Sequence, residues 1–402
     1  PAEPPLPAAP KILYNSQAGV LLRDNGDLDL LDWRVVPHRA VIHTGERIAS
    51  VEPFEAQFEI GDDLCRLTLI EATSTRILPP SKDWLLGFDV RQGRLILKSL
   101  PGQAAKADAA PPRFALKVDE DLWRIQPLTP DTVCGIQVRR LPPDQFELLP
   151  EPRPYMVVLF ITGGTLLLDD MKGHEGQVGA GNFVVLTPAT DDPAEGLPAP
   201  TIEVLRSPPD WMSDESRRLQ PAALRTAKLF EQEFQLEQPL KNYIPNLVIR
   251  PNPNPSALAD KVLAITENAP LMIDALSQKG QHEESRLAAI DGLRAWLTLS
   301  PDNGKKLPEL LRKSFHEEDA KIAAELLWGF DEQDAENLAI ANRLVDLMDH
   351  DNVANRELAF HNVVRLTDRR YEYRANLPPP QRSLAVTRWR RYVERENGLL
   401  RK

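Results

Sequence analysis

The spacing of apolar residues changes once along this chain, near Pro200, and that change fixes most of what the chain can become. Before it, apolar and polar residues alternate: Leu67 and Leu69 with Arg66 and Thr68, Leu95 and Leu97 with Arg94 and Ile96, then Val157, Leu159 and Ile161. A period of two buries one face of a strand. After Pro200 the period becomes about 3.6, the repeat of an amphipathic helix. At 402 residues the chain is too long for one ordinary core, so two or three domains are expected. The fold class that follows is multidomain: an all-β part, sandwich-like or barrel-like, followed by an all-α solenoid of helical hairpins.

Within the β half, Asn25-Gly26, Gly61-Asp62, Gln92-Gly93 and Gly163-Gly164 suit hairpin turns, because Gly and Asn tolerate positive φ. Two internal matches point to a duplication. Trp33-Arg34-Val35-Val36-Pro37 resembles Trp123-Arg124-Ile125-Gln126-Pro127. Phe88, Val90, Gly93, Leu95 and Leu97 align with Leu159, Ile161, Gly164, Leu166 and Leu168. The second set reads as a hairpin, two apolar residues on each side of a glycine turn. The expected division is a Pro/Ala linker over 1–10, a first β lobe over 11–101, a linker over 102–112, a second lobe over 113–208 and a connecting segment over 209–255.

Helices are expected over Ser256–Leu276, Glu284–Leu299, Leu307–Phe315, Glu318–Phe330, Asp334–Asp349 and Val353–Thr367. Ser256 and Asp334 read as N-caps, with Pro301 and Pro308 at helix edges. Arg286, Ala289 and Leu293 recur 35 residues later as Lys321, Ala324 and Trp328, and 35 later again as Arg356, Ala359 and Val363. A small alanine beside a large apolar residue lets a neighbouring helix approach closely, as stacked helical repeats require. The period is short for HEAT-like repeats, but the Trp/Gly/Tyr signature of tetratricopeptides is missing, so 256–367 reads as HEAT-like. The rest, 368–402, reads as a basic capping segment.

Catalytic and metal chemistry find little purchase. Two cysteines, Cys65 and Cys134, cannot make a disulfide framework or a four-thiolate zinc site; two buried free thiols are preferred over one bridge. His316 has no second histidine one turn away, and His350 and His361 are expected at solvent or helix caps. There is no G-x-S-x-G elbow, Walker or kinase signature. Gly176–Gly181 leads into a strand rather than a helix, so it reads as a turn. Asp24–Asp29 has oxygen ligands but lacks the spacing of a calcium loop, and Asp169-Asp170 read as solvated. No cofactor, metal or catalytic residue is assigned. The net charge of −11 argues against a general nucleic-acid or anionic-membrane binder. No apolar run approaches the ~20 residues of a membrane span.

That charge is unevenly spread. From Arg365 to Lys402 eleven Lys/Arg face four Asp/Glu, a net of +7, leaving −18 on the rest. Arg388, Trp389, Arg390, Arg391, Tyr392 and Arg395 interleave cations with aromatics, a pattern able to bind single-stranded nucleic acid. The preferred alternative makes Val386, Trp389, Tyr392 and Val393 the apolar face of a capping helix, with the arginines snorkelling or pairing with the acidic body. These six residues are the candidate interaction site. A glycan-binding role for exposed tryptophans such as Trp33 and Trp84 is a further alternative.

Gly45-Glu46-Arg47-Ile48, the strands Phe54–Ile60 and Leu64–Leu69, Gly93–Leu97, Gly164-Thr165-Leu166 and Ala180–Val185 together resemble the FecR-like domains of bacterial anti-sigma-type regulators. Arg356–Phe360, Leu366-Thr367, Tyr371–Arg374 and Arg388-Trp389-Arg390 resemble the helical tail of HEAT-like proteins from the same kind of bacteria. The resemblance implies a non-catalytic, extracytoplasmic regulator or scaffold that binds a protein partner. It implies no membrane contact within this chain and a tether upstream of Pro1; a cytoplasmic scaffold is the alternative.

Overall fold

The computed structural model describes residues 7–16, 19–24, 32–61, 63–100, 111–140, 155–171, 173–186, 201–214, 238–250, 252–278, 282–395 and 400, with scattered positions over 221–236. The Asn25-Gly26 turn, most of the calcium candidate and most of the 102–112 linker lie outside these residues. A β region is followed by an α region, in two compact units, one ending at Tyr243 and the other beginning at Ile244. That boundary falls inside the expected connecting segment.

In the first unit, the strands are β1 (Ile12–Tyr14), β2 (Leu21–Asp24), β3 (Trp33–Val35), β4 (Val41–Ile42), β5 (Arg47–Ser50), β6 (Glu55–Ile60), β7 (Cys65–Leu78) and β8 (Leu86–Ser99). They continue with β9 (Phe114–Val118), β10 (Asp121–Pro127), β11 (Val133–Arg140), β12 (Tyr155–Gly163), β13 (Thr165–Asp169), β14 (Glu175–Gly179), β15 (Asn182–Leu186) and β16 (Thr201–Val204). All belong to one mixed sheet organised by the long antiparallel pair β7–β8. Both members bend, β7 at the register shift after Ile70 and β8 at Gly93, where φ is +117°. The bend splits the sheet into two runs, β3-β2-β5-β7-β8-β9-β10-β13-β14 and β4-β1-β6-β7-β8-β11-β12-β15-β16. Alternating residues from both runs meet in one apolar core that includes Leu21, Ile48, Phe58, Phe88, Phe114, Leu159 and Leu166.

Two sequence readings change here. Phe88 to Leu97 all lie on β8, so Gly93 turns a corner within one strand and makes no hairpin. Its counterpart Gly164 separates β12 from β13, which pair with different neighbours: β12 with β11 and β15, β13 with β10 and β14. Both glycines carry the chain from one run to the other. The tryptophan match marks like residues in unlike places: Trp33 is on β3, which among the described strands pairs with β2 alone, whereas Trp123 is on β10 between β9 and β13. The Gly61 turn does close a hairpin, joining β6 to β7. On either side of the 102–112 stretch the strands are bonded to each other, since β8 pairs with both β9 and β11.

The second unit has helices α1 (Ile244–Val248), α2 (Pro253–Ile265), α3 (Ala269–Ser277), α4 (Glu283–Leu299), α5 (Pro301–Ser314), α6 (Glu317–Trp328), α7 (Glu332–Ala335), α8 (Leu338–Leu347), α9 (Val353–Thr367) and α10 (Pro379–Arg395). Among the described residues, none is long and apolar enough to cross a membrane. The helix expected over Ser256–Leu276 is two, because Glu267 turns left-handed and Asn268 caps a new start that has Pro270 in its first turn. Ser256 lies buried inside α2 and, rather than capping that helix, donates to the Val248 carbonyl at the end of α1. Asp331 caps α7, with Asp334 returning the bond as the third residue of a capping box, and Asn337 caps α8. Pro308 sits inside α5, whose start is capped by Ser300. The repeated triplets fall on α4, α6 and α9, which pack on one another; α3 and α5 pack together, as do α8 and α10.

Candidate functional site

The three repeats place equivalent residues in unequal surroundings. On α4, Arg286, Ala289 and Leu293 are fully buried; on α9, Ala359 and Val363 are fully buried and Arg356 nearly so. On α6, Lys321 is exposed and Ala324 and Trp328 are only partly covered. The difference follows from packing. α4 contacts α2, α3, α5, α6 and α9, while among the described residues α6 close-packs with α4, α5 and α9.

The uncovered side of α6 is the floor of a cavity of about 540 Å³. Ala320, Ala324 and Trp328, spaced four apart, form the floor; Pro308 and Arg312 of α5 form one wall, and Ile340, Leu344 and Leu347 of α8 the other. Four-residue spacing puts the floor residues on one helical face. The pairs α5–α8 and α6–α8 do not close-pack, though Arg343 of α8 reaches Glu325 of α6 at 2.5 Å. The buried Trp328 indole N–H has no acceptor among the described residues. At the rim, Arg312 pairs with Glu317 at 3.3 Å, and Lys321 with Glu317 and Glu318 at 3.7 and 2.9 Å. These side chains are solvated, so the pairs add little stability.

The first repeat shows the same basic position when covered. Glu357 of α9 meets Arg286 of α4 at 3.2 Å, with both side chains fully buried. Burial pushes the Glu357 carboxyl up to about 7, against the opposing pull of Arg286. Nearby, Ser285 donates to Asp260 in a wholly buried contact, and burial raises the Asp260 carboxyl to about 8. Arg356 is occupied differently: its guanidinium donates to the carbonyls of Ala375, His350 and Asp351.

The candidate residues of the basic segment divide by face of α10. Trp389 and Tyr392 are buried, Trp389 packed edge-on against Tyr371 at 4.7 Å and Tyr392 lying under Arg369 at 5.0 Å. Arg388, Arg390, Arg391 and Arg395 are exposed. Arg388 pairs with Glu372 at 3.4 Å and Arg390 with Asp346 at 2.8 Å. The aromatics therefore present no ring face for a base to stack upon. Trp33, a candidate for glycan binding, is also buried, with Arg47 over its ring; half-buried Trp84 donates its indole N–H to Pro79.

Other sequence readings also shift. Asp169 and Asp170 are buried rather than solvated: Asp169 pairs with Arg124, and Asp170 accepts from the His174 backbone and meets its ring at 2.7 Å. Gly181 turns β14 into β15. His316 stands at the N-cap position of α6, where its side chain makes no capping hydrogen bond. Among the described residues, no group of three or more His, Cys, Asp or Glu is placed to hold a metal ion. The cavity was missed in the sequence, although the 35-residue alignment already marked its floor. The sequence matches no protein-family model and no curated protein.

Proposed function

We propose that this chain is a non-catalytic regulatory or scaffolding protein that binds a protein partner through its helical unit. In this reading the helices are a HEAT-like solenoid, and the β half is a FecR-like body, sandwich-like or barrel-like, folded around one core. The chain is the extracytoplasmic part of a membrane-anchored signalling protein. The observation that carries the reading is the open face of α6, where a packing surface repeated three times is covered twice within the chain and left open once. Exposed apolar surface of this kind is where partners dock. The FecR-like resemblance supports the location.

The test is affinity capture of the full-length native protein from the cell envelope, followed by sizing of the complex. The expected result is a stoichiometric protein partner retained through gel filtration. A monomer that carries nothing from either envelope or cytosol would sink the reading.

A further inference from the structure

We infer that the open face of α6 seats an amphipathic helix supplied by a protein partner, with carboxylates along one edge of its apolar stripe. The inference rests on the partner-binding reading above and specifies its site and the chemistry of the partner.

Three observations select a helix. The floor residues Ala320 and Ala324 are small, so a helix axis can approach α6 to the ~8–10 Å of ordinary helix packing. The walls, α5 and α8, each pack within the unit but not against each other, leaving a slot bounded by helices on three sides. On α4, the equivalent surface is met in part by a helix, α9.

Charge selects the edge. In that covered repeat, Glu357 on the covering helix meets Arg286. The equivalent cation on α6 is Lys321, and Arg312 stands beside it on the wall; both are held only loosely, by exposed glutamates close in sequence. A carboxylate on an incoming helix would replace those solvated contacts, as Glu357 does for Arg286. A purely apolar occupant such as an acyl chain would offer Lys321 and Arg312 no partner beyond the solvated glutamates they already meet.

The experiment uses the full chain and three labelled synthetic peptides: a Leu/Ala amphipathic helix flanked by Glu, the same stripe flanked by Lys, and the Glu version broken by proline. Fluorescence anisotropy should show the Glu helix binding at least tenfold more tightly than the other two. Ala324→Arg, at a partly exposed position, should abolish binding while circular dichroism and the melting temperature stay unchanged. Equal binding of the Glu and Lys helices, or binding that survives Ala324→Arg, would overturn the inference. So would silence from every peptide, or uptake of dodecanoate in place of a peptide.

Photo-crosslinkers at positions 321 and 388 of the full chain in cells separate the two claims. Protein adducts from 321 support both. Adducts from 388 alone keep the scaffold reading and remove the groove, and adducts from neither remove both.

Discussion

Thr73 lies so close to Gly93 that a methyl group on the glycine would stand 2.3 Å from the threonine hydroxyl. That hydroxyl accepts the Arg94 backbone N–H at 2.8 Å and lies within donating distance of the Ile70 and Arg94 carbonyls, at 2.5 and 3.0 Å. One side chain therefore holds the bend in β7 against the bend in β8. The second corner is built the same way: the Thr165 N–H donates to Thr129, Thr132 donates to the Thr165 carbonyl, and a methyl on Gly164 would fall 2.2 Å from the Thr129 hydroxyl.

Both glycines also have positive φ, so alanine at either site meets backbone strain as well as overlap. Gly93→Ala and Gly164→Ala should each destabilise the β unit by about 3 kcal/mol or more. Thr73→Val should cost about 1–3 kcal/mol by stranding buried backbone groups, while Thr73→Ser should recover most of that loss. Urea unfolding followed by amide exchange in β7 and β8 checks all four. A Gly93→Ala variant as stable as the parent would show that the corner can relax.

The helical unit should lose stability as pH rises from weakly acidic to weakly alkaline. Burial is the largest cause for both carboxyls, which stand at about 8 for Asp260 and about 7 for Glu357 in the fold, against roughly 4 when unfolded. The folded state therefore binds extra protons between these values. The stabilisation is fully present below the unfolded pKa and is lost as pH climbs through the folded one. Each group contributes a slope of at most about 1.4 kcal/mol per pH unit. The melting temperature of the helical signal should fall between pH 5 and 9, and Asp260→Asn should flatten the upper part of that fall. A flat profile in the parent would mean that both carboxyls are ionised and accommodated.

What the sequence made legible is what periodicity records. The switch from strand to helix near Pro200 and the alignment of Ala289, Ala324 and Ala359 reflect which faces are packed, and burial writes itself into spacing. The role of Gly93 was hidden because a corner glycine and a hairpin glycine look alike, and Thr73, which tells them apart, lies 20 residues away. Asp169 reads as solvated until Arg124 is seen beside it. The open face of α6 was hidden for a different reason: Ala324 matches Ala289 in type, and only the set of neighbouring helices makes one covered and the other open.

Cys65 and Cys134 are both free and buried. Cys65 pairs across from Ser99 and Cys134 across from Leu97, so β8 runs between them. Two strand spacings amount to about 9–10 Å, beyond the ~4.4–6.8 Å that a disulfide needs between Cα atoms. Burial pushes the Cys134 thiol up to about 12 and raises that of Cys65 as well. Neither should react with a thiol reagent such as Ellman's at pH 8 until the β unit unfolds, when both should titrate. Prompt reaction of either in the native protein would indicate local opening of β7 or β11.

The C-terminal helix offers a sharp contrast between neighbours in sequence. Trp389 is fully buried against Tyr371 and Tyr392, whereas Arg390, one residue later, meets Asp346 in solvent. Trp389→Ala should cost about 3–5 kcal/mol through the cavity it leaves. Arg390→Ala should cost under about 1 kcal/mol, because an exposed pair gains little over hydration. Urea unfolding of the two variants side by side decides between a structural and a displayed aromatic. If Trp389→Ala left stability unchanged, the indole would have to be free to leave its pocket, and base stacking on it would become a live mechanism. If it destabilises as expected, any anion that binds this segment meets only arginines, and its affinity should fall steeply with salt.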